Sequence, residues 1–267
     1  MCTSGNSMLN TNVAALAYEQ AQLQPEAAAI ITDQQVINYA ELKRCVSILA
    51  KHFHGQGVLL GQVVGVSMLQ HPLHLMTLLA LAQVGAVSLP LHPAIPPERR
   101  LLAAQRFGAT CVVSGRNEFA LEGFGLIGFG GVSFEAGITG DEVICPVEAD
   151  TPLRIDISSG TSGNPKGMLL THGVTALRNQ TTDAGATPLS RIISMDLNFI
   201  VGFRSAMAAL AKGASMVTHR VTRAYLSSAK LGPLAPARYF IAATLPRTQT
   251  GKIRRAELAA MFTLAGI

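Results

Sequence analysis

The sequence predicts an α/β fold in which a mostly parallel sheet is covered by helices. The first observation is the alternation of helical and strand patterns along the first half of the chain, which is typical of parallel sheets. The second is composition: of 267 residues, 49% are hydrophobic and 14% are charged, which favours a compact core over a disordered or coiled-coil chain. A chain of this length can bury one large core or two modest ones.

The first predicted elements are a helix, a hairpin and a second helix. Apolar residues at helical spacing predict a helix over residues 13–23. Short apolar runs over 28–32 and 36–38 flank a polar turn and predict two paired strands. Residues 39–54 again carry apolar side chains at helical spacing and are followed by Gly55, so we predict a second helix there.

Strands and helices then alternate as far as residue 114. The predicted elements are, in order, strand 63–68, helix 73–84, strand 87–91, helix 96–107 and strand 110–114. Residues 73–91 form the run that is long enough to resemble a membrane span. Because this run contains His74 and Gln83 and is divided by Gly85, we predict a buried helix followed by a core strand, and no membrane span.

The second half of the chain shows fewer regular patterns. Residues 115–150 are rich in glycine and have no clear period, so we predict irregular structure there. Further along, the sequence predicts a strand over 191–195, a helix over 201–211 and a strand over 214–218.

The most informative motif is a loop over residues 158–167 that joins two apolar runs. It combines glycines, Ser and Thr hydroxyls, a proline and Lys166. Glycine lets backbone N–H groups approach an anion closely, and the hydroxyls and the lysine add donors and positive charge. The loop therefore predicts a phosphate-binding site, although such a loop taken alone is also compatible with a flexible connection. It does not fit a Walker loop, because two residues separate Gly163 from Lys166 and Gly167 follows the lysine.

The loop and its continuation Leu170-Thr171-His172 resemble the phosphate-loop signature of the adenylate-forming superfamily, which includes acyl-CoA synthetases, peptide-synthetase adenylation domains and luciferases. The continuation resembles the acyl-CoA synthetase branch. A second stretch, residues 245–255, resembles the C-terminal signature of the same family, whose lysine contacts the carboxylate and the α-phosphate. The resemblance implies Lys252 as the catalytic residue and Thr161 as the ligand on the Mg²⁺ side. It implies triphosphate contacts from Ser159, Gly160, Thr161, Ser162, Gly163 and Lys166.

The resemblance also implies an incomplete domain organisation. Residues 1–218 would be a partial N-terminal AMP-binding domain, 219–232 a junction, and 233–267 a vestigial remnant of the C-terminal domain. Family members are considerably longer, and the segments that hold adenine and ribose, together with the hinge, have no counterpart after Thr218. The histidine often found in the family's next substrate-side segment is also absent, and Phe199 fills its place. We therefore predict an uncovered sheet edge after Thr218, which would aggregate or be covered by a partner protein.

The function that this resemblance implies is an AMP-forming ligation of an acyl acid to coenzyme A. Such an enzyme uses ATP and Mg²⁺ to convert a carboxylic acid to an acyl-adenylate and then forms a thioester. Two alternatives stay open at this point. The acceptor can be CoA or a carrier-protein thiol, and the shortened chain can instead be a non-catalytic homologue or a nucleotide-binding partner protein. The sequence does not identify the acid.

Charge and cysteine patterns limit the partners and the location. Residues 1–196 carry a net charge of −4 and residues 197–267 a net charge of +9. A basic tail can bind nucleic acid, but a surface that handles ATP, pyrophosphate or CoA explains it equally well, and we expect no nucleic-acid partner. The cysteines show no metal-ligand spacing and the N-terminus has no secretory pattern, so we expect a soluble, cytoplasmic protein with reduced thiols.

Overall fold

Strand pairing divides the described part of the chain into two sheets. The computed structural model describes residues 11–32, 34–69, 72–135, 144–158, 165–181, 191–194 and 196–218. All of them belong to Met1–Arg220, the first of the two compact units into which the chain divides. The predicted junction over 219–232 and the predicted remnant over 233–267 lie outside the described residues.

The elements follow the predicted order closely. The helices are α1 (Ala15–Leu23), α2 (Tyr39–Gly55), α3 (Pro72–Val84), α4 (Pro97–Arg106), α5 (His172–Thr181) and α6 (Ile200–Ala211). The strands are β1 (Ala28–Ile31), β2 (Val36–Asn38), β3 (Val63–Val66), β4 (Val87–Pro90), β5 (Ala109–Val113), β6 (Gly125–Ile127), β7 (Pro152–Ser158), β8 (Lys166–Thr171), β9 (Arg191–Ser194) and β10 (Ser215–Thr218). The sequence did not predict β6 or α5, and the two apolar runs that became β7 and β8 were not assigned as strands.

The larger sheet has six strands in the order β6-β5-β3-β4-β7-β8. All neighbouring pairs are parallel except β7 and β8, which form an antiparallel hairpin. The predicted α/β class with a mostly parallel sheet is therefore confirmed. Helix α3 connects β3 to β4 and is buried over most of its length, and the described residues include no helix with the length and hydropathy that a membrane span requires.

The smaller sheet has four strands in the order β2-β1-β10-β9. The predicted hairpin of β1 and β2 is antiparallel, whereas β10 lies parallel to both β1 and β9. Strand β10, which ends at Thr218, has a paired neighbour on each side, so the predicted uncovered edge would belong to another strand of the sheet. Within the described residues the outer strands of this sheet are β2 and β9.

Helix α2 begins at a capping box that the sequence encodes. The Oδ1 atom of Asn38 accepts the backbone N–H of Glu41 at 2.8 Å, and the Oε2 atom of Glu41 accepts the backbone N–H of Asn38 at 3.0 Å. These reciprocal bonds satisfy two donors that a helix start leaves open. The helix then buries the apolar side chains that the sequence places at helical spacing, Leu42, Val46, Leu49 and Phe53 among them.

Candidate functional site

The two residues that flank most of the predicted phosphate loop, Ser158 and Lys166, belong to the β7–β8 hairpin. Ser158 at the end of β7 and Lys166 at the start of β8 are direct partners in the antiparallel register. The loop therefore connects two strands, unlike a Walker loop, which leads into a helix. Lys166 is exposed at this position. The other predicted phosphate contacts, Ser159, Gly160, Thr161, Ser162 and Gly163, lie outside the described residues, and so does Lys252.

The base of this hairpin is closely packed. Strand β7 pairs with β4 at Ser88 and Arg154, and the Ser88 hydroxyl lies 3.4 Å from the carbonyl oxygen of Leu153. Gly167 lies against the ring of Phe107, where a Cβ atom would stand only 2.6 Å from the nearest ring carbon. These contacts pack the strands that lead into and out of the loop, β7 at Leu153 and Arg154 and β8 at Gly167.

A buried arginine lies on β7 below the loop. The side chain of Arg154 is fully buried, and its Nε and Nη2 atoms lie 3.0 and 2.9 Å from Oδ1 of Asp156. Nη2 also donates to the backbone oxygen of Asn198 at 3.1 Å, and the guanidinium lies 4.8 Å from the centre of the Phe203 ring.

The segment 196–199, between β9 and α6, is held by a network of hydrogen bonds. Oδ1 of Asp196 accepts the backbone N–H and the side-chain amide of Asn198, each at 2.9 Å. The amide of Asn198 also donates to the backbone oxygen of Met68 at 2.9 Å. Oδ2 of Asp196 lies 3.1 Å from Nε2 of His92. Nδ1 of His92 accepts a hydrogen bond from the backbone N–H of Ala94 at 2.9 Å. The ring proton is therefore on Nε2, which donates a hydrogen bond to Asp196.

The charge of Asp196 is stabilised by these contacts. Burial alone raises the pKa of a carboxyl group, but the hydrogen bonds from His92 and Asn198 outweigh it and hold the pKa of Asp196 at about 2. Its side chain is 26% exposed, and that of His92 is 17% exposed. The ring of Phe199, also exposed, lies 6.0 Å from the His92 ring. These three side chains present a carboxylate, an imidazole and an aromatic ring to solvent.

The hydrogen-bond network of the segment 196–199 lies where strands of both sheets end. Met68 follows β3, His92 follows β4, Ser158 ends β7, and Asp196 follows β9. The carboxyl ends of strands in an open α/β sheet are the usual place for ligand binding. The structure thus brings the base of the predicted phosphate loop and the segment 196–199 to the carboxyl ends of the strands.

Two histidines are buried and neutral: His74 lies near Arg154 and Asp196, and His172 follows β8 at the end of the hairpin opposite the loop. Burial, followed by the positive charge of Arg154, lowers the pKa of His74 to about 3, although Asp196 opposes the shift. Burial lowers the pKa of His172 to about 4, and its Nδ1 accepts the backbone N–H of Val13 at 3.2 Å. Both groups are uncharged at neutral pH and serve the packing. Within the described ranges no cluster of His, Cys, Asp and Glu could hold a metal ion.

Sequence reasoning missed most of this network. It singled out Phe199 but not His92, Asp196 or the Arg154–Asp156 pair. One signal was available: two charged residues at alternate positions of an otherwise apolar strand point to the same face, where they must be paired if that face is buried.

Comparison with known proteins identifies the family. The pattern of the family described as "AMP-binding enzyme" matches residues 17–235, which is most of the chain. The chain belongs to this family. Among the curated relatives, nonribosomal peptide synthetase 8 of Aspergillus fumigatus is 31% identical over 161 residues, which cover 58% of this chain and 2% of that protein.

Solved structures show the same fold. The N-terminal subdomain of Klebsiella oxytoca NpsA, in complex with 3-hydroxyanthranilyl-AMSN, matches with a TM-score of 0.69 at 22% identity, over 79% of this chain and 54% of that one. O-succinylbenzoate coenzyme A synthetase (MenE) of Bacillus subtilis, in complex with AMP, matches with a TM-score of 0.70 at 20% identity, over 80% of this chain and 58% of that one. The predicted N-terminal adenylate-forming fold is confirmed, and the chain spans only part of each of these proteins.

Proposed function

We propose that this AMP-binding enzyme chain is an AMP-forming acid–thiol ligase. It activates a carboxylic acid with ATP, releases pyrophosphate, and passes the acyl group from the adenylate to a thiol. The observation that supports the proposal is the pairing of Ser158, at the carboxyl end of β7, with Lys166, at the start of β8, because the glycine- and hydroxyl-rich residues lie between these two in the sequence. Arg154 of β7 also bonds to the segment 196–199.

The residues of the loop suit a triphosphate. Backbone N–H groups at Gly160 and Gly163, together with the hydroxyls of Ser159, Thr161 and Ser162, supply neutral donors. Exposed Lys166 adds a positive charge at the same place. Thr161 would face Mg²⁺, which neutralises phosphate charge when it is bound.

In the chemical step a carboxylate oxygen bonds to the α-phosphorus of ATP and the bond to pyrophosphate breaks. Two anionic reactants must be held in line, and their charge must be balanced while the bond forms. We assign this role to Lys252, which would contact the carboxylate and the α-phosphate. The acid would bind beside the half-exposed side chains of His92, Asp196 and Phe199.

The thiol acceptor has two candidates. The run Leu170-Thr171-His172 and the likeness to a CoA synthetase favour CoA, whereas the curated peptide-synthetase relative favours a carrier-protein thiol. Adding CoA or a carrier-protein thiol to separate adenylation reactions and measuring thioester formation distinguishes the two candidates. Only the true acceptor yields a thioester. The proposal includes a cytoplasmic location, where thiols stay reduced.

A second candidate function is a nucleotide-binding partner protein without catalysis. The short stretch between Thr218 and Pro233 favours it, because it leaves no room for the family's segments that hold adenine and ribose. In that case the partner protein would pair with an outer strand such as β9, since β10 is already paired on both sides.

The test is ATP–pyrophosphate exchange with a broad panel of carboxylic acids. We expect exchange with at least one acid, its loss in Lys252→Ala, and a raised KM for ATP in Lys166→Ala. Lys51→Ala, which changes an exposed lysine of α2, is the matched control and should leave exchange unchanged. Mg²⁺-dependent ATP binding without pyrophosphate exchange for any acid would overturn the proposed ligase activity. It would support the second candidate, a nucleotide-binding partner protein.

A further inference from the structure

We propose that Arg154 is a positioning residue that sets the place of the segment 196–199 relative to the strand that carries the phosphate loop. The inference rests on the proposed function, because it assigns the acid to that segment and the triphosphate to the loop. Arg154 itself touches neither substrate. It acts through the main chain of Asn198.

The first argument is the direction of its bonds. Arg154 and Asp156 lie on the same face of β7, as side chains two residues apart do in a strand. Asp156 fixes the guanidinium from its own strand, through contacts at 3.0 and 2.9 Å. The fixed guanidinium then donates to the backbone oxygen of Asn198 at 3.1 Å and covers the Phe203 ring at 4.8 Å. The Arg154 side chain therefore bonds to the segment 196–199 and packs on the first turns of α6.

The second argument is that the other bonds of the segment go elsewhere. Asn198 bonds to Met68 after β3, and Asp196 bonds to His92 after β4. A hydrogen bond from Arg154 joins the segment to β7. Without it the segment keeps its bonds to the residues after β3 and β4, but it loses this bond to the strand that leads into the loop.

The third argument concerns energy. A fully buried ion pair gains little net stability, because the desolvation of both charges offsets their attraction, and apolar residues of similar size often serve as well. The Nη1 atom of Arg154 and the Oδ2 atom of Asp156 are buried and make no hydrogen bond within the described residues, so the pair is not optimised for stability. What the pair supplies is geometry: a rigid planar fork holds one carbonyl oxygen in place.

This geometry matters for the proposed reaction. The carboxylate and the α-phosphate must approach along one line, and a displacement of about 1 Å far from the reacting atoms can cost about 100-fold in rate. We therefore expect the loss of Arg154 to lower kcat while each substrate still binds.

The experiment uses the full chain with two variants at this pair, a double variant and a single one. Arg154→Met with Asp156→Leu replaces both charges and leaves no unpaired carboxylate, and Arg154→Lys keeps the charge but loses the fork. Arg116→Met is the matched control, because Arg116 also contacts an acid, Glu118 at 3.1 Å, but on the surface. Hydrogen exchange of residues 196–203 and the kinetics of ATP–pyrophosphate exchange are measured for each variant.

We expect exchange of the backbone N–H groups in 196–203 to become about tenfold faster in the double variant, as loss of one charged hydrogen bond predicts, with β1 and α2 unchanged. In the kinetic assay kcat should fall about 100-fold, with KM for ATP and acid nearly constant. Arg154→Lys should recover only part of kcat, and Arg116→Met should match the wild type.

Unchanged protection of 196–203 in a folded double variant would overturn the proposal, as would full recovery of kcat by Arg154→Lys. A wild-type chain that exchanges no pyrophosphate with any acid would defeat the proposed function instead. The hydrogen-exchange result would still decide whether Arg154 fixes the segment.

Discussion

Gly173 and Ala149 lie in direct backbone contact. The N–H of Gly173 donates to the carbonyl oxygen of Ala149 at 2.8 Å, and a Cβ atom on Gly173 would stand 2.6 Å from that same oxygen. The neighbouring N–H of His172 donates to the carbonyl of Thr151 at 3.1 Å. These contacts fasten the start of α5 to the residues that lead into β7, and so close the base of the phosphate-loop hairpin.

Gly173→Ala should therefore destabilise the protein. The added methyl group meets backbone atoms that cannot rotate away, so the start of α5 must shift, at a cost of about 1–3 kcal/mol in the free energy of unfolding. Urea unfolding followed by circular dichroism measures it. Gly55→Ala is the control, because nothing lies within 4 Å of a Cβ atom there, and it should be neutral or slightly stabilising. Equal effects at both positions would contradict the steric account.

Removing the cap of α2 should cost about 1 kcal/mol in the free energy of unfolding. Asn38→Ala removes the oxygen that accepts the Glu41 N–H at 2.8 Å and leaves that donor without its partner. Asn38→Ser is the matched control, because it also removes the amide but keeps an oxygen that accepts the same bond at a helix start. Thermal unfolding of the three proteins should rank Asn38→Ala below the other two, and a wild-type midpoint for Asn38→Ala would show that the cap is unimportant.

Acid should weaken the fold partly through His172. Its pKa is about 4 in the folded state against 6.5 for the ordinary group, so the unfolded chain binds more protons between those values. The free energy of unfolding then falls as pH is lowered from 6.5 to 4, by up to about 3 kcal/mol, and this group causes no further loss below that range. His74, with a folded pKa of about 3, adds to the same trend.

The variant His172→Asn tests this prediction. Its side-chain oxygen can still accept the Val13 N–H, but it does not take up a proton in this range. Urea unfolding at several pH values should show a smaller loss between pH 6.5 and 4 than in the wild type. His54→Asn, at an exposed position of α2, is the control for replacing a histidine outside the core. An identical slope in wild type and His172→Asn would contradict the assignment.

Asp196→Asn should destabilise the segment 196–199. Asp196 accepts three hydrogen bonds, from His92 and twice from Asn198. An amide offers one oxygen and turns an NH₂ group toward a donor, so we expect a loss of about 1–3 kcal/mol at pH 7. Glu118→Gln, in an exposed ion pair with Arg116, should cost less than about 1 kcal/mol. Comparable losses in the two variants would argue against the network.

The sequence was sufficient to predict a helix or strand where its residues form a clear local pattern. The helix over 39–54 and the strands over 63–68 and 87–91 were predicted to within two residues, because the helix buries residues at helical spacing and the strands are short, continuously apolar runs. Strand β6 has three residues and α5 begins with His172-Gly173, so neither offers such a pattern. The division into two sheets depends on which strands meet, which no local pattern encodes.

The candidate site shows the same limit. The phosphate-contact residues 159–163 and Lys252 stay predictions from motif resemblance. Arg154 was missed because one of its hydrogen-bond partners, Asn198, lies 44 positions away along the chain. An arginine in a short apolar run looks like a surface residue until the segment that covers it is known.

The pairing of β1 with β10 has a consequence for synthesis. Ile30 lies opposite Met216, and the Ser215 hydroxyl donates to the backbone oxygen of Ala28 at 2.7 Å, across 187 positions of sequence. On a ribosome the N-terminal hairpin therefore emerges long before the strand that completes its sheet, and the unpaired side of β1 stays open for other chains meanwhile. Such distant contacts also slow folding. The growing chain is thus exposed to misassembly until its residues around 218 are free, and its yield should depend on chaperones that shield β1 during that interval.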